Sequence, residues 1–550
     1  FLASLHKVDY TGSWQFVGLH NYVNVWKDPF FRGSLLTTLS FSAMSVIGGV
    51  VLGLIMALIL NEQIFGRGFL RSIILIPWAM APVVVGILWL WILDGQFGTL
   101  NAILYRLGLI DKFIPWMSDG WRALIFVALA YVWRTAPFAA VLFLATLQAI
   151  PPNLYNVAKV DGANAFFRFR HITLPWLKPT LFLVVVLLSI DAILQLDLIF
   201  VMTRGGPGHS TSVIAWVGYK TIYTFSKYGQ GSAILYLLTL ICLVLAMIYI
   251  WLLWRRNQPS DHMVIQATSA VAIRFADQRG QKHVDGGLNR PKFEKPRVSS
   301  GLLGANLKKR LAQLMLNGAS LTILMWVMLP FLWLIILSVS RTVDLLDVTR
   351  QIIPFPPRLD NYYMIFMPER VAATGVGGGF LASQAAKVIG SLAFSSSVAL
   401  IVTLISLFFG SLAGYAYARY ERFKFMRTTL LILLATRMIP TLVLILPFFL
   451  LFNRLGILGG QFPLIITYLA LILPLTIWIL KGYFETIPVS LERAAMVDGC
   501  NRIQSLVRVV IPLSLPGLIA AGIFAIMTTW NEFMYGLILG QAPTIPVTIA

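Results

Sequence analysis

Long apolar runs constrain this chain more than any other feature. Stretches of about 18 or more apolar residues recur from one end to the other, each long enough for a hydrocarbon core of roughly 30 Å. About ten spans are expected, at 34–60, 70–93, 121–148, 177–202, 231–254, 315–340, 388–418, 428–452, 461–484 and 511–539. Inside a bilayer every backbone polar group needs an internal partner, which only helices and closed barrels supply. Barrel strands would alternate in polarity over about 10 residues. The predicted fold class is therefore an all-α polytopic membrane protein. Composition agrees: mean hydropathy is +0.80 and 12% of residues are charged, about half the share of a soluble domain.

Between the apolar runs, one polar segment is written twice. Residues 150–179 read IPPNLYNVAKVDGANAFFRFRHITLPWLKP and residues 487–516 read IPVSLERAAMVDGCNRIQSLVRVVIPLSLP. Pro151/Pro488, Asp161/Asp498, Gly162/Gly499, Asn164/Asn501, Pro175/Pro512 and Pro179/Pro516 all pair at an offset of 337. Pro137 and Pro474 share that offset within spans, while Gly53 and Gly410 take matching places in the second core helix of each half. A duplicated loop in a duplicated membrane domain implies two related halves around one pathway. Locally, Pro151 and Pro488 suit a helix start. Asn153 and Ser490 are expected as caps, and Gly162 and Gly499 as left-handed breaks. The product is a short surface helix turned by one glycine.

The net charge of +21 tempts a nucleic-acid reading, but its distribution argues for topology instead. With both repeated loops in the cytoplasm, the excess of Lys and Arg lies on the inner side, as the positive-inside rule requires. Residues 1–254 form the expected first half and 311–550 the second. The basic segment 255–310 between them, with Asp285-Gly286-Gly287 and Pro291, is expected to be a flexible cytoplasmic linker. The chain starts at Phe1 and stops at Ala550 just after a span, so one helix is expected to be missing at each end. Cys242 and Cys500 fall in segments that should not meet in an oxidising compartment, and no disulfide is expected.

The repeated segment resembles the EAA loop of binding-protein-dependent ABC importers. FVGLHNYVNVWKDPFF at Phe16–Phe31 and FVMTRGGPG at Phe200–Gly208 are similar to the first permease subunit of maltose-type sugar importers; PRLDNYYMIF and TTWNEFMYGLIL are similar to the second. The resemblance implies a fused permease pair of the type I importer fold in the inner membrane. Its surface helices would dock two separate ATPase subunits through Leu154, Asn156, Ala158, Asp161 and Gly162, and through Leu491, Glu492, Arg493, Ala495, Asp498 and Gly499. The glutamate position of the family pattern falls here on Asn156 and Arg493. Glu492 lies one residue early, and one helical residue turns a side chain by about 100°. Apolar contacts by Leu154, Val160, Leu491 and Val497 are then expected to carry the docking.

Charges within spans usually mark a cavity or a pair. Tyr131, Arg134, Thr135 and Phe138 form a helical stripe, Asp191 and Gln195 share a face, and Asp197 is expected on roughly the other side. The resemblance places these segments at a sugar pathway, with Asn531 and Glu532 at the equivalent site of the second half. An Arg134–Asp191 ion pair is slightly favoured over sugar binding by Asp191, and Arg437 is expected to snorkel or to pair with Glu532.

An importer of this kind would work with two ATPases, an extracytoplasmic solute-binding protein, a sugar and membrane lipid, and would bind no nucleic acid. No cofactor or metal is expected on the chain: ATP would sit on the partner subunits, because no GxxxxGK[ST] phosphate loop occurs. A twelve-helix secondary transporter of a small polar solute fits the span count equally well, but it has no ATPase to dock. A membrane enzyme is disfavoured because the six histidines are scattered.

Overall fold

The computed structural model describes residues 1–8, 14–64, 66–256, 302–340, 357–367, 379–420, 423–436, 439, 441–540 and 544–549. Most of the linker and Arg437 lie outside the described residues. A small antiparallel hairpin, β1 (His6–Val8) and β2 (Trp14–Phe16), precedes the helices. The helices that shape the first half are α1 (Pro29–Asn61), α2 (Arg67–Ile73), α3 (Ile76–Ala79), α4 (Pro82–Ile92), α5 (Gly120–Ala149), α6 (Pro152–Val160), α7 (Ala165–Ile193), α8 (Asp197–Met202) and α9 (Tyr228–Arg256). Those of the second half are α10 (Leu302–Ser338), α11 (Gly379–Tyr420), α12 (Lys424–Ala435), α13 (Thr441–Arg454), α14 (Gln461–Glu485), α15 (Val489–Val497), α16 (Arg502–Leu513) and α17 (Leu515–Asn531).

Among the described residues, seven helices are long and apolar enough to cross a membrane, or nine if two bent pairs each count as one span. The expected span 70–93 is the first such pair. Its two parts meet at 94°, because Met80 and Ala81 turn extended ahead of Pro82, a backbone that proline imposes on its predecessor. The second pair, α16 and α17, bends by 81°. The expected span 428–452 is divided between α12 and α13, of 12 and 14 residues. The expected span 177–202 ends early, at Ile193, and resumes as α8.

The helices are packed by small residues. On α1 the buried face carries Ser34, Thr38, Ser42, Ser45, Gly49 and Gly53, while Leu36, Leu39, Ile47, Val51 and Ile55 point outward. Large side chains face lipid and small ones let helices approach, since burying leucine against leucine has no advantage in a medium of hydrocarbon. The repeat carries over into this contact. A β-carbon on Gly53 would stand 2.7 Å from Ala139 Cβ on α5; one on Gly410 would stand 2.8 Å from Thr476 Cγ2 on α14. Ala139 and Thr476 are themselves one repeat apart, and each follows its span's proline, Pro137 or Pro474, which stays inside a continuous helix.

The two halves share one apolar core that includes Trp133, Leu198 and Val213 from the first with Trp333, Leu446 and Phe533 from the second. Trp133 Nε1 donates to the Trp326 carbonyl at 3.1 Å, and the Phe200 and Phe533 rings lie 5.2 Å apart.

Candidate functional site: two surface helices and a central cavity

The repeated segments fold alike. Each surface helix, α6 and α15, begins after a proline N-cap with no side-chain bond. Asn153 and Ser490 are therefore not the caps; they sit inside the first turn, because the helix starts as soon as Pro151 or Pro488 sets the chain direction. Each helix ends on a left-handed glycine, Gly162 at φ 79° and Gly499 at φ 91°. The N–H of Gly162 bonds the Lys159 carbonyl at 3.1 Å and that of Ala163 bonds the Ala158 carbonyl at 2.9 Å. In the second copy Gly499 bonds Met496 at 3.2 Å and Cys500 bonds Ala495 at 3.0 Å. This paired closure satisfies carbonyls that a helix end would orphan. The true side-chain caps come next: Asn164 Oδ1 accepts from Phe167 N at 2.8 Å, and Asn501 Oδ1 accepts from Gln504 N at 2.8 Å.

Both helices present an apolar tip to solvent. Val160 and Val497 are each 87% exposed, and Leu154 and Leu491 are 41% and 44% exposed. Asn156, Arg493, Asp161 and Asp498 are exposed beside them, whereas Ala158 and Ala495 are half-buried. Glu492 does not belong to this outward set. It is buried at 3%, accepts from Arg419 Nε at 2.6 Å and from Tyr415 Oη at 2.8 Å, and forms an ion pair with Arg419. Its one-residue displacement from Arg493 turns it back onto α11. Tyr155, its counterpart, is half-buried and its hydroxyl meets Thr173 Oγ1 at 2.9 Å.

A cavity of about 510 Å³ opens between the halves. It is built where two helices break at equivalent points of the repeat: α7 stops at Ile193 before α8, and α17 stops at Asn531, with Glu532 extended. Arg134, Asp191, Gln195 and Glu532 line it. Asp197 also lines it, contrary to the expectation that it faces away, because the break at Leu194–Leu196 cancels the helical rotation that would have separated it from Asp191.

The other expected pathway residues stand behind this wall. Tyr131 is buried and its hydroxyl donates to Asp191 Oδ2 at 2.8 Å. Thr135 bonds back to the Tyr131 carbonyl at 2.9 Å, and the Phe138 ring stacks on Trp78 at 5.1 Å. The favoured Arg134–Asp191 ion pair is not formed: among the described residues no ion pair joins them. Arg134 Nε instead donates to the Met80 carbonyl at 3.2 Å, and Asn531 Nδ2, from the other half, donates to the Ala79 carbonyl at 3.1 Å. The 94° bend frees carbonyls at this point of the first half, and a freed carbonyl at membrane depth must find a donor. Glu532 accepts from Tyr468 Oη at 3.3 Å and from Tyr535 N at 2.9 Å. Tyr468, Tyr535 and Thr441 were not foreseen as its surroundings. The repeat offset offered one clue, since it aligns Glu532 with Gln195.

Comparison with known proteins follows the same division into halves. A trehalose/maltose transport system permease protein, MalF, of Thermococcus litoralis is 41% identical over 46% of this chain and 84% of its own length. A sulfoquinovosyl glycerol transport system permease protein of Agrobacterium fabrum is 33% identical over 43% of this chain and 76% of its own length. An sn-glycerol-3-phosphate transport system permease protein from the same organism is 34% identical over 40% and 74%. The model of the family "binding-protein-dependent transport system inner membrane component" matches twice, over residues 49–256 and 406–550. With two matched regions in one polypeptide, each holding one copy of the surface helix and one of the helices that stop at the cavity, α7 or α17, this multi-pass membrane chain belongs to the binding-protein-dependent transport system inner membrane component family, as a fused pair of permease units.

Proposed function

We propose that the chain forms the translocation pathway of an ATP-driven importer of carbohydrates in the cytoplasmic membrane, receiving one ATPase subunit on α6 and a second on α15. The observation that carries this reading is the twin exposure of Val160 and Val497 on helices closed by the same glycine turn. Apolar tips held in water by a rigid turn fit a partner surface better than an ordinary connection. ATP hydrolysis belongs to those partners, and an extracytoplasmic solute-binding protein delivers the solute. The names of the relatives support a carbohydrate or a glycerol derivative as that solute.

The test is ATP-dependent uptake of trehalose or maltose into proteoliposomes holding the chain, with and without its ATPase and binding protein. Uptake driven by an ion gradient without ATPase would refute the reading. Cys500 supplies a second readout, since it follows Gly499 and is half-buried. With Cys242 replaced by Ala, a membrane-impermeant maleimide should label it from the cytoplasmic face, and ATPase binding should slow the labelling. Labelling from the outer face alone would overturn the topology.

A further inference from the structure

A second hollow, of about 690 Å³, opens on the seam between the halves and meets the central cavity, among the described residues, only at Ile439. One wall is residues 232–243 of α9 from the first half; the facing wall is residues 443–454 of α13 from the second. Each stretch rises about 16 Å, about half of a hydrocarbon core of roughly 30 Å, so the groove is as deep as one leaflet. Its chemistry is graded along that depth. Arg454, Trp14, Ser232 and Tyr236 stand at one end, where the Phe1 ring lies 5.1 Å from Tyr236. Thr239, further in, turns its hydroxyl back to the Leu235 carbonyl at 2.9 Å. Beyond it the lining is apolar, with Leu243, Leu444, Val443 and Ile439. Among the described residues no carboxylate lines the groove, and no ion pair or hydrogen bond engages the exposed Arg454 side chain. The end that Arg454 marks is the one away from the surface helices, because α14 carries the chain from just beyond Arg454 to the start of α15 over a rise of about 37 Å.

We propose that this groove holds one acyl chain of an anionic glycerophospholipid, from the leaflet opposite the surface helices, with the lipid phosphate on Arg454. A guanidinium offers paired donors that match a phosphate, and Trp14 and Tyr236 are of the kind that settles at the membrane–water interface. A polyhydroxylated solute does not suit the same space, since hydroxyl groups would go unpaired in the apolar depth. The acyl chain gains little by exchanging hydrocarbon for hydrocarbon, so the headgroup contact decides which lipid stays. A lipid seated there touches both halves and closes the seam on the flank of the central cavity, at the residue the two spaces share, Ile439.

Photolabelling of the full chain in nanodiscs tests it, with a phosphatidylglycerol that carries a diazirine in one acyl chain as the probe. Adducts should gather on residues 235–243 and 443–451, above the level at Leu36 and Ile47, which point outward from α1. Unlabelled phosphatidylglycerol should compete about fivefold better than phosphatidylcholine, the advantage expected from one basic residue near an anionic headgroup. Arg454→Gln should remove that preference and keep the adducts. Leu243→Trp, which fills the inner end from a half-buried position, should deplete the groove adducts and leave those on α1 unchanged. Adducts spread evenly over the groove and α1 would overturn the site. Equal competition by the two headgroups, or competition by palmitate as strong as that by phosphatidylglycerol, would overturn the anionic phospholipid as its occupant. These comparisons use the unaltered chain, so they decide the matter even if a variant misfolds.

Discussion

The two surface helices end alike but are held differently. Both close on a left-handed glycine and both expose a valine. In the first half, Tyr155 ties α6 to its own half by a hydroxyl contact with Thr173 and by packing against the apolar cluster there, and among the described residues no ion pair joins them. In the second, Glu492 is buried against Arg419 and Tyr415 of α11, and Arg419 reaches on to the Ile487 carbonyl at 3.2 Å. The exposed leucine and valine of each helix repeat, while the inward pair Tyr155 and Glu492 has diverged. A partner of the same kind can therefore be met twice by surfaces with unequal mechanical backing. The second helix should transmit a push into α11 more stiffly than the first transmits one into its own bundle.

The largest expected effect lies in that inward face. Arg419→Ala leaves Glu492 as a buried, unpaired charge and should cost about 3–5 kcal/mol, whereas Tyr155→Phe, losing one neutral hydrogen bond, should cost about 1 kcal/mol. Thermal unfolding and limited proteolysis at α15 and α6 compare them directly. Equal losses would erase the asymmetry. Arg419→Met combined with Glu492→Leu should recover most of the stability, because replacing both charges removes the desolvation cost together with the attraction.

The next effect should be symmetric. Gly162→Pro and Gly499→Pro each remove a bonded N–H and a positive φ, a combination expected to cost at least about 3 kcal/mol in the local turn. Together they should abolish co-purification of the ATPase. Normal assembly in the double variant would remove the docking role from both helices. Val160→Asp and Val497→Asp should each weaken ATPase binding by about 1–3 kcal/mol, as expected for an apolar anchor at an interface. A large loss for one and none for the other, read by titrating purified ATPase, would show that the outward faces are unequal as well.

The smallest expected value sets the buried pair against the cavity charges. A double-mutant cycle on Arg134→Leu and Asp191→Asn should give a coupling below about 0.5 kcal/mol in unfolding, since these two side chains serve different partners. The cycle on Arg419 and Glu492 should give several-fold more. Strong coupling between Arg134 and Asp191 would show that they form an ion pair in the stable state of the protein.

Features governed by neighbours in the chain were legible in the residues themselves. Apolar length implied membrane helices, and the offset of 337 implied two halves. Asp-Gly implied the left-handed turn after each surface helix, because glycine φ is a local property, whereas the caps were misplaced: Asn164 and Asn501 cap the restart, and Asn153 and Ser490 cap nothing. Gly53 and Gly410 were legible only as matching positions of the two halves; that each lies in a close helix contact came from the structure. What also failed was any statement about direction across a break. Asp197 joins Asp191 only because α7 stops at Ile193, and Arg134 leaves Asp191 for a carbonyl freed when Pro82 bends a different span by 94°. Asn531 likewise answers a backbone need in the opposite half. Glu492 turns inward because Arg419 is waiting on α11, more than seventy residues away, as the hydrogen-bond separation of 73 records. Local sequence sets which groups a segment carries. Their partners are chosen by where breaks and neighbouring helices place unsatisfied charges and carbonyls, which in a bilayer no water is there to satisfy.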